Sequence, residues 1–193
     1  MRGRRAVTTA AGFALVLAGA SGCAVMLAGG AAGSAAVAGD PRTTGTFIED
    51  QAIELKALKL LAQDTELRQQ THVGVTSYNQ VVLLTGQAPT EALRQRVVAL
   101  VRAIDKVRHV HDEIAIGAPS SMATRTNDSY ITTKVKTRLL GTEALGAIRI
   151  KVVTEAGSVF LMGLLSAPEA ELAARVASET GGVLSVVKLF EYR

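Results

Sequence analysis

The sequence is poor in the residues from which most active sites and ligand cavities are built. It has no Trp, one Cys, three His and only 4% aromatic residues. The single cysteine, Cys23, excludes an internal disulfide and a cysteine-ligated metal site. Few aromatic side chains argue against a large ligand cavity, whereas an apolar fraction of 48% suits a packed fold.

A strong excess of one charge is also absent from most of the chain. Lys and Arg number 21 against 17 Asp and Glu, and three of the cations are Arg2, Arg4 and Arg5. Without these three the chain is close to neutral. The sequence pI of about 9.5 is therefore poor support for nucleic-acid binding, and no nucleic-acid partner is expected.

The N-terminal residues have the pattern of an export signal. The three arginines precede an uncharged run rich in Ala, Leu and Val, from Ala6 to Ala20, which is typical of a secretory signal peptide. The run ends in Ala20-Ser21-Gly22-Cys23 and resembles the lipobox of bacterial lipoproteins, in which the cysteine is acylated and becomes the new N-terminus. We therefore predict a signal peptide over residues 1–22 and lipidation of Cys23, although Ala20 stands where the lipobox usually has Leu.

Two other interpretations of this region stay open. The uncharged stretch 6–39 is long enough for an uncleaved transmembrane helix, but its many glycines disfavour a helix. The second alternative is a cleaved signal peptide followed by a cysteine that is present only incidentally.

In the lipoprotein interpretation, Ala24 replaces the Asp of an inner-membrane retention signal, so the resemblance implies the outer membrane. Residues 23–46, rich in Ala, Gly and Ser, are predicted to be a flexible tether.

The rest of the chain contains an internal repeat. The segment Val82–Gly86 (VLLTG) recurs as Val159–Gly163 (VFLMG). Upstream of each segment lies a stripe of apolar residues at helical spacing that begins with an aspartate, and this aspartate is predicted to be the helix N-cap. The first stripe is Asp50, Ile53, Ala57 and Leu61, and the second is Asp128, Ile131, Val135 and Leu139.

Each copy reads as helix, strand, strand, helix, strand. The two strands are joined by a tight turn at Tyr78-Asn79-Gln80 in the first copy and Glu155-Ala156-Gly157 in the second. The second helix opens near Pro89 or Pro168, because proline is tolerated in the first turn of a helix. The pattern predicts an α+β fold of two small αββαβ domains, each a three-stranded mixed sheet with two helices on one face.

This order and pattern resemble the BON domain, a small module of bacterial envelope proteins. With the signal and lipobox, the two copies are similar to dual BON-domain outer-membrane lipoproteins. Asp40-Pro41-Arg42, Asn127–Val135 and Val159–Gly163 carry that closer resemblance. We place the first BON domain at residues 47–117 and the second at residues 118–193.

No arrangement of residues predicts an active site. His109 and His111 alternate on a predicted strand near Asp112, but the sequence places no third metal ligand beside them. Nucleophile-elbow, phosphate-loop and zinc-protease motifs are absent from the sequence. We expect no enzyme activity, no catalytic residue, no metal and no cofactor.

The first helix of the second copy suggests a binding surface. At about 100° per residue, Ile131, Val135 and Leu139 share the side that must face the core. An outward aromatic and aliphatic stripe between two lysines suits a membrane surface with anionic headgroups. The predicted lipid-binding residues on the outward side are Tyr130, Thr133, Lys134, Lys136, Thr137 and Leu140.

The charge of the two copies differs in the same region. From Arg125 to Lys151 six cations face two anions, whereas from Glu49 to His72 five anions face three cations. An acidic surface is repelled by anionic lipids, so lipid contact is assigned to the second copy. The outward stripe could instead be a solvated face or the dock for the first copy.

The family resemblance implies a function for this helix. In dual BON-domain lipoproteins the second domain binds anionic phospholipid through its first helix, and Tyr130 stands where an aromatic is expected. The resemblance further implies an outer-membrane protein that faces the periplasm, supports envelope integrity and has envelope or division proteins as partners. The alternative is a non-enzymatic adaptor that regulates an envelope machine and uses the same helix face as its dock.

Overall fold

The structure, a computed structural model, describes residues 42–145 and 149–193. The predicted signal peptide, Cys23 and the tether up to residue 41 lie outside this part of the chain. The described residues all belong to one compact unit.

The two copies follow the same order of elements, and among the described residues the first copy has an additional short helix. The first copy comprises α1 (Thr44–Gln63), α2 (Thr65–Gln70), β1 (His72–Tyr78), β2 (Val81–Ala88), α3 (Glu91–Arg102) and β3 (His109–Ile116). The second comprises α4 (Met122–Leu140), β4 (Ile150–Glu155), β5 (Ser158–Leu165), α5 (Ala167–Ser178) and β6 (Ser185–Tyr192).

Each copy forms a separate three-stranded sheet with the same topology. The order is β1-β2-β3 in the first sheet and β4-β5-β6 in the second. In both sheets the hairpin strands pair antiparallel, and the last strand joins the middle strand in parallel. The predicted α+β fold of two αββαβ domains with mixed sheets is confirmed.

The predicted helix N-caps at Asp50 and Asp128 are wrong. Helix α1 begins at Thr44, three residues before the predicted domain start, and Thr43 accepts a 3.1 Å bond from the Thr46 amide. Helix α4 is capped in the same way by Ser121. Hydroxyl side chains satisfy the exposed amides of both first turns, so the aspartates fall within the helices and are buried.

The two buried aspartates hold the hairpin turns instead. Asn79 and Gln80 both have positive φ, and their amides donate to Asp50 at 2.8 and 2.7 Å. Such turns have positive φ at both central residues, which matches the twist of the strands. In the second copy the same bonds run to Asp128 from Ala156 and Gly157, at 2.9 and 2.8 Å.

Helix α1 stops at Asp64, a break that the apolar pattern does not predict. The backbone of Asp64 is extended, and its carboxylate accepts bonds from the amides of Glu66 and Leu67. Asp64 is thus an N-cap that starts the short helix α2. Helix α4 has no such residue and continues unbroken to Leu140.

Each sheet buries its helix-facing side in a core of its own. In the first copy, Val82 and Leu84 of β2 pack with helical residues such as Ile53 and Val97. The second copy repeats this with Val159 and Leu161 of β5 and a layer of alanines from α5. Exposed helix surfaces are therefore on the outer side of each copy.

The opposite faces of the two sheets pack on each other. Tyr78 of β1 and residues of both middle strands form this third cluster, with partly buried neighbours from β4, β5 and β6. Because the sheets meet back to back, the helices of the two copies lie on opposite outer sides. The buried members are Tyr78, Val81, Leu83, Phe160 and Met162.

Polar contacts border this sheet-to-sheet interface. The Lys151 ammonium lies 2.6 Å from the Glu54 carboxylate, and Arg108 lies 2.8 Å from Glu191. Gln87 donates to Glu155 at 2.7 Å. These bonds join residues far apart in the sequence and fix the register of one sheet on the other.

Candidate functional site

Helix α4 has one buried and one exposed side. Ile131, Val135 and Leu139 are at most 2% exposed and pack on the second sheet. Thr132, at the edge, donates to the Thr154 hydroxyl of β4 at 2.7 Å. The buried stripe agrees with the predicted one because the helix is continuous through this region.

Large apolar side chains lie on the opposite side of α4. Tyr130 and Leu140 are each 63% exposed, and Met122 is 73% exposed. Met122 was not predicted, although helical spacing of eight residues places it on the same face as Tyr130. The structure thus brings Tyr130 and Leu140 together on one face and adds Met122. We call Met122, Thr126, Tyr130, Thr133, Thr137 and Leu140 the α4 outer face.

The threonine hydroxyls of the α4 outer face are bonded within the helix. Each hydroxyl donates to the carbonyl four residues earlier: Thr133 to Ser129 at 3.0 Å and Thr137 to Thr133 at 2.9 Å. Such bonds within the helix satisfy the hydroxyl donor without water. The face is consequently more apolar than its composition indicates.

The two predicted lysines are not equivalent. Lys134 is partly buried, lies 5.1 Å from the centre of the Tyr130 ring and donates to the Gly181 carbonyl. Lys136 is exposed and makes no hydrogen bond or ion pair within residues 42–145 and 149–193. Lys136 is therefore the lysine available to a ligand, whereas Lys134 holds Tyr130 against the domain.

Several other cations of the second copy have acidic partners. Arg149 lies 2.8 Å from Glu169, and Lys151 pairs with Glu54 of the first copy. Arg138 lies 3.5 Å from Glu179, in an exposed pair. The excess of six cations over two anions therefore overstates the positive charge at the α4 outer face.

The α4 outer face is not covered by the first copy. The copies dock through their sheets, whereas the helices of the second copy lie on the far side of the second sheet. The interpretation of the outward stripe as a dock for the first copy is wrong. The face is open to solvent or to a ligand.

The histidines do not gather around a metal. The rings of His109 and His111 are 4.6 Å apart and edge to face, on the strand beside the sheet-to-sheet interface. Burial and the neighbouring His109 lower the pKa of His111. No group of three or more His, Cys, Asp or Glu side chains suited to a metal ion occurs in the described residues.

A shallow cleft of about 390 Å³ lies beside the first half of α4. Its lining includes His72, Arg125 and Glu155, together with the buried Asp128. The Arg125 guanidinium is bonded to the Ser120 carbonyl at 2.8 Å, and Asp128 to the hairpin turn. These groups serve the fold and do not form a nucleophile, base and orienting group in a row.

Comparison with protein families identifies both copies. The BON domain model matches residues 49–118 and 127–193, which together span more than half of the chain. The chain belongs to the BON domain family. The two matches coincide with the two sheets, so each αββαβ copy is one BON domain.

Curated relatives are similar to this chain over most of their length. Outer membrane lipoprotein DolP of Haemophilus influenzae is 36% identical over 159 residues, covering 82% of each chain. The 21 kDa hemolysin of Actinobacillus pleuropneumoniae is 37% identical and covers 79% of each. Osmotically-inducible protein Y of Escherichia coli is 26% identical, covering 74% of this chain and 72% of that protein. This chain is thus similar in both BON domains to an outer-membrane lipoprotein.

Neither BON domain contributes a membrane span. Among residues 42–145 and 149–193, every helix is too short or too polar to cross a bilayer.

Proposed function

We propose that this chain is a lipid-anchored protein of the outer membrane whose second BON domain binds anionic phospholipid through the α4 outer face. One observation carries the proposal. The two BON domains bury their sheets against each other, yet Tyr130, Leu140 and Met122 stay exposed beside the uncommitted Lys136. An exposed apolar stripe with a cation at its edge is what a bilayer interface binds.

The chemistry of the α4 outer face suits the headgroup region of a bilayer. The Tyr130 ring places an apolar body and a polar tip at the interface, and Leu140 enters the acyl boundary. Lys136 meets anionic headgroups and contributes about 1 kcal/mol. Binding by a single face of this size is weak, and a nearby anchor would compensate by raising the effective concentration.

The anchor we propose is an acylated Cys23, freed from a signal peptide over residues 1–22. A tether over residues 23–43 would then lead to helix α1 at Thr44, in a first BON domain that extends to residue 117 and is followed by the second at 118–193. The stretch from Cys23 to Thr44 has a root-mean-square span of about 25 Å as a flexible chain, enough to keep α4 near the membrane. The similarity to an outer-membrane lipoprotein supports this location, and the domains would face the periplasm.

This function is non-enzymatic. The protein would support envelope integrity, and envelope or division proteins would be its further partners. The adaptor alternative gives the same α4 outer face to a protein instead of a bilayer.

Vesicle co-sedimentation of residues 36–193 tests the proposal. This compact unit holds all three apolar clusters, and starting at residue 36 keeps a new N-terminal charge away from Asp50. We expect binding to phosphatidylcholine vesicles that contain phosphatidylglycerol, and little binding to phosphatidylcholine alone. Tyr130→Glu with Lys136→Glu should weaken binding at least about tenfold, because the first change removes an apolar contact and the second replaces a cation by an anion.

A matched control changes the net charge equally elsewhere. Ser185→Glu with Arg102→Glu alters two exposed residues outside the α4 outer face and should leave most binding intact. Equal losses in the two double variants would show that only net charge matters and would contradict the proposal. The adaptor alternative predicts that the wild-type protein does not bind the vesicles. It also predicts that Tyr130→Glu with Lys136→Glu abolishes capture of a protein partner.

A further inference from the structure

Helix α1 of the first BON domain carries a second exposed apolar stripe. Ile48, Leu55 and Leu58 are 61%, 70% and 51% exposed. At about 100° per residue they lie on the side opposite the buried Ile53 and Ala57. We call Ile48, Leu55, Leu58, Lys59 and Ala62 the α1 outer face.

The acidic residues near this face all pair with cations outside α1, and Asp64 and Glu66 share one of these cations. Glu49 is bonded to Lys106, Asp50 to Arg42, Glu54 to Lys151, and both Asp64 and Glu66 to Arg96. Lys56 and Lys59, by contrast, are exposed and form no ion pair within the part of the chain that the structure describes. The surface that α1 presents outward is therefore cationic, although the net charge of its segment is negative.

These observations favour an anionic bilayer as the occupant of the α1 outer face. The face is a single convex helix with aliphatic side chains at its crest, which suits a flat interface. Lys56 and Lys59 can lay their stems along the apolar surface and raise their ammonium groups to phosphates. The helix also begins at Thr44, directly after the proposed tether, so an anchored chain keeps it near lipid.

The α1 and α4 outer faces lie on opposite sides of the molecule, because the two sheets pack back to back between their helices. We propose that the α1 outer face is a second phospholipid-binding surface, so that one molecule can hold two anionic bilayer surfaces together. The proposal rests on the proposed function of α4 for one of the two bilayers. The first BON domain is then a lipid-binding partner of the second.

Vesicle clustering by residues 36–193 tests this proposal, with light scattering for clustering and co-sedimentation for binding. The probe is vesicles of phosphatidylcholine with phosphatidylglycerol. We expect wild-type protein to cluster them. Leu55→Glu with Lys59→Glu should reduce clustering at least about tenfold while the α4 outer face still binds. Ser185→Glu with Arg102→Glu should cluster vesicles as wild type does.

Unchanged vesicle clustering and binding by Leu55→Glu with Lys59→Glu would overturn the proposal. This result would instead favour an acidic protein as the partner of the α1 outer face. Leu55→Ser, which adds no charge, should also reduce clustering, and circular dichroism should show both variants folded, as expected for exposed positions. Sedimentation velocity without lipid should give a monomer. A dimer that Leu55→Glu dissociates would overturn the proposal in favour of a second copy on this face.

Different outcomes distinguish a failure of the function proposed for α4 from a failure of the second lipid surface proposed for α1. Loss of clustering in both the α1 and the α4 double variants, with residual binding in each, supports two lipid faces. Loss of all binding in the α1 variant alone would support lipid binding by α1 and overturn the function proposed for α4. Loss of all binding in the α4 variant alone would overturn the second surface.

Discussion

Asp50 and Asp128 occupy equivalent positions but have different surroundings. Both accept the two amides of a hairpin turn. Asp50 also faces Arg42 at 2.7 Å, and the Arg42 side chain is only 7% exposed and stacks on Tyr78. The first aspartate therefore balances a buried cation, whereas the second serves mainly the turn.

Replacing each aspartate by asparagine should separate these two roles. Asp128→Asn leaves one turn amide with a poorer acceptor and should cost about 1–3 kcal/mol. Asp50→Asn also removes the negative charge that faces a buried guanidinium and should cost about 3–5 kcal/mol. Urea unfolding of residues 36–193 measures both. Equal costs would contradict the assigned role of the ion pair.

Glu169 gives the second BON domain a dependence on acidic pH. The Ser166 amide and hydroxyl donate to its carboxylate at 2.8 and 2.7 Å, and Arg193 and Arg149 lie beside it. These groups lower its pKa to about 2, below the usual 4.5. The charged form is favoured in the folded state, so this stability is present above pH 4.5 and is lost as the pH falls toward 2.

Glu169→Gln should lower the free energy of unfolding by on the order of 2 kcal/mol at neutral pH. It should also make this free energy depend less on pH in the acidic range. Glu171→Gln is the control on the same helix, since Glu171 is 60% exposed and its ion pair in the described part of the chain is with the exposed Lys188. Chemical unfolding at a series of pH values gives both profiles. A steep acid loss retained in Glu169→Gln would assign the dependence to other groups.

At the scale of single elements, the two hairpin turns solve one backbone problem with different residues. Both turns need positive φ, which Asn79 and Gly157 adopt at low cost. Ala156 has φ of 48° and a β-carbon that disfavours this conformation. The second turn therefore carries strain that the Asp128 bonds hold in place.

Ala156→Gly should stabilise the chain by about 1 kcal/mol because it relieves that strain. Ala99→Gly, at an exposed site within α3, should destabilise by about 1 kcal/mol, because glycine is a poor helix former. Thermal unfolding compares the two. The same sign for both changes would show that the turn is not strained at Ala156.

The helices and strands were largely predictable from the sequence, whereas the hydrogen-bond partners of the side chains were not. The turn at Tyr78–Gln80 and the buried stripe of α4 follow from local periodicity, which survives in a continuous helix. The break at Asp64 and the turn-holding role of Asp50 were missed, because an aspartate before an apolar stripe has the same pattern as an N-cap.

The surface charge was missed for a different reason. Lys151 pairs with Glu54, and Arg149 pairs with Glu169, across long sequence separations. A count along the chain cannot separate such pairs from free charges. Consecutive apolar residues Val81–Leu84 did hold the signal for a strand buried on both faces, and hence for the docking of the sheets.

The whole molecule combines a proposed lipid anchor with two docked BON domains whose helices lie on opposite sides. The anchor is testable apart from the lipid faces. Cys23→Ala in the full chain should abolish acylation, and because cleavage is proposed to occur at the acylated residue, the chain should keep residues 1–22. Labelling with palmitate followed by gel electrophoresis checks this, and a Cys23→Ala chain that is labelled and cleaved like the wild type would contradict lipid anchoring.

We propose that the α4 outer face lies on an anionic bilayer. A fluorophore on this face measures the polarity of its surroundings and so tests the contact directly. Residues 36–193 contain no cysteine, so Leu140→Cys gives one site for an environment-sensitive dye. Glu113→Cys, on the exposed part of β3, is the reference. We expect a blue shift at residue 140, and not at residue 113, when phosphatidylglycerol vesicles are added. No shift at residue 140 under conditions in which the protein co-sediments with the vesicles would contradict it.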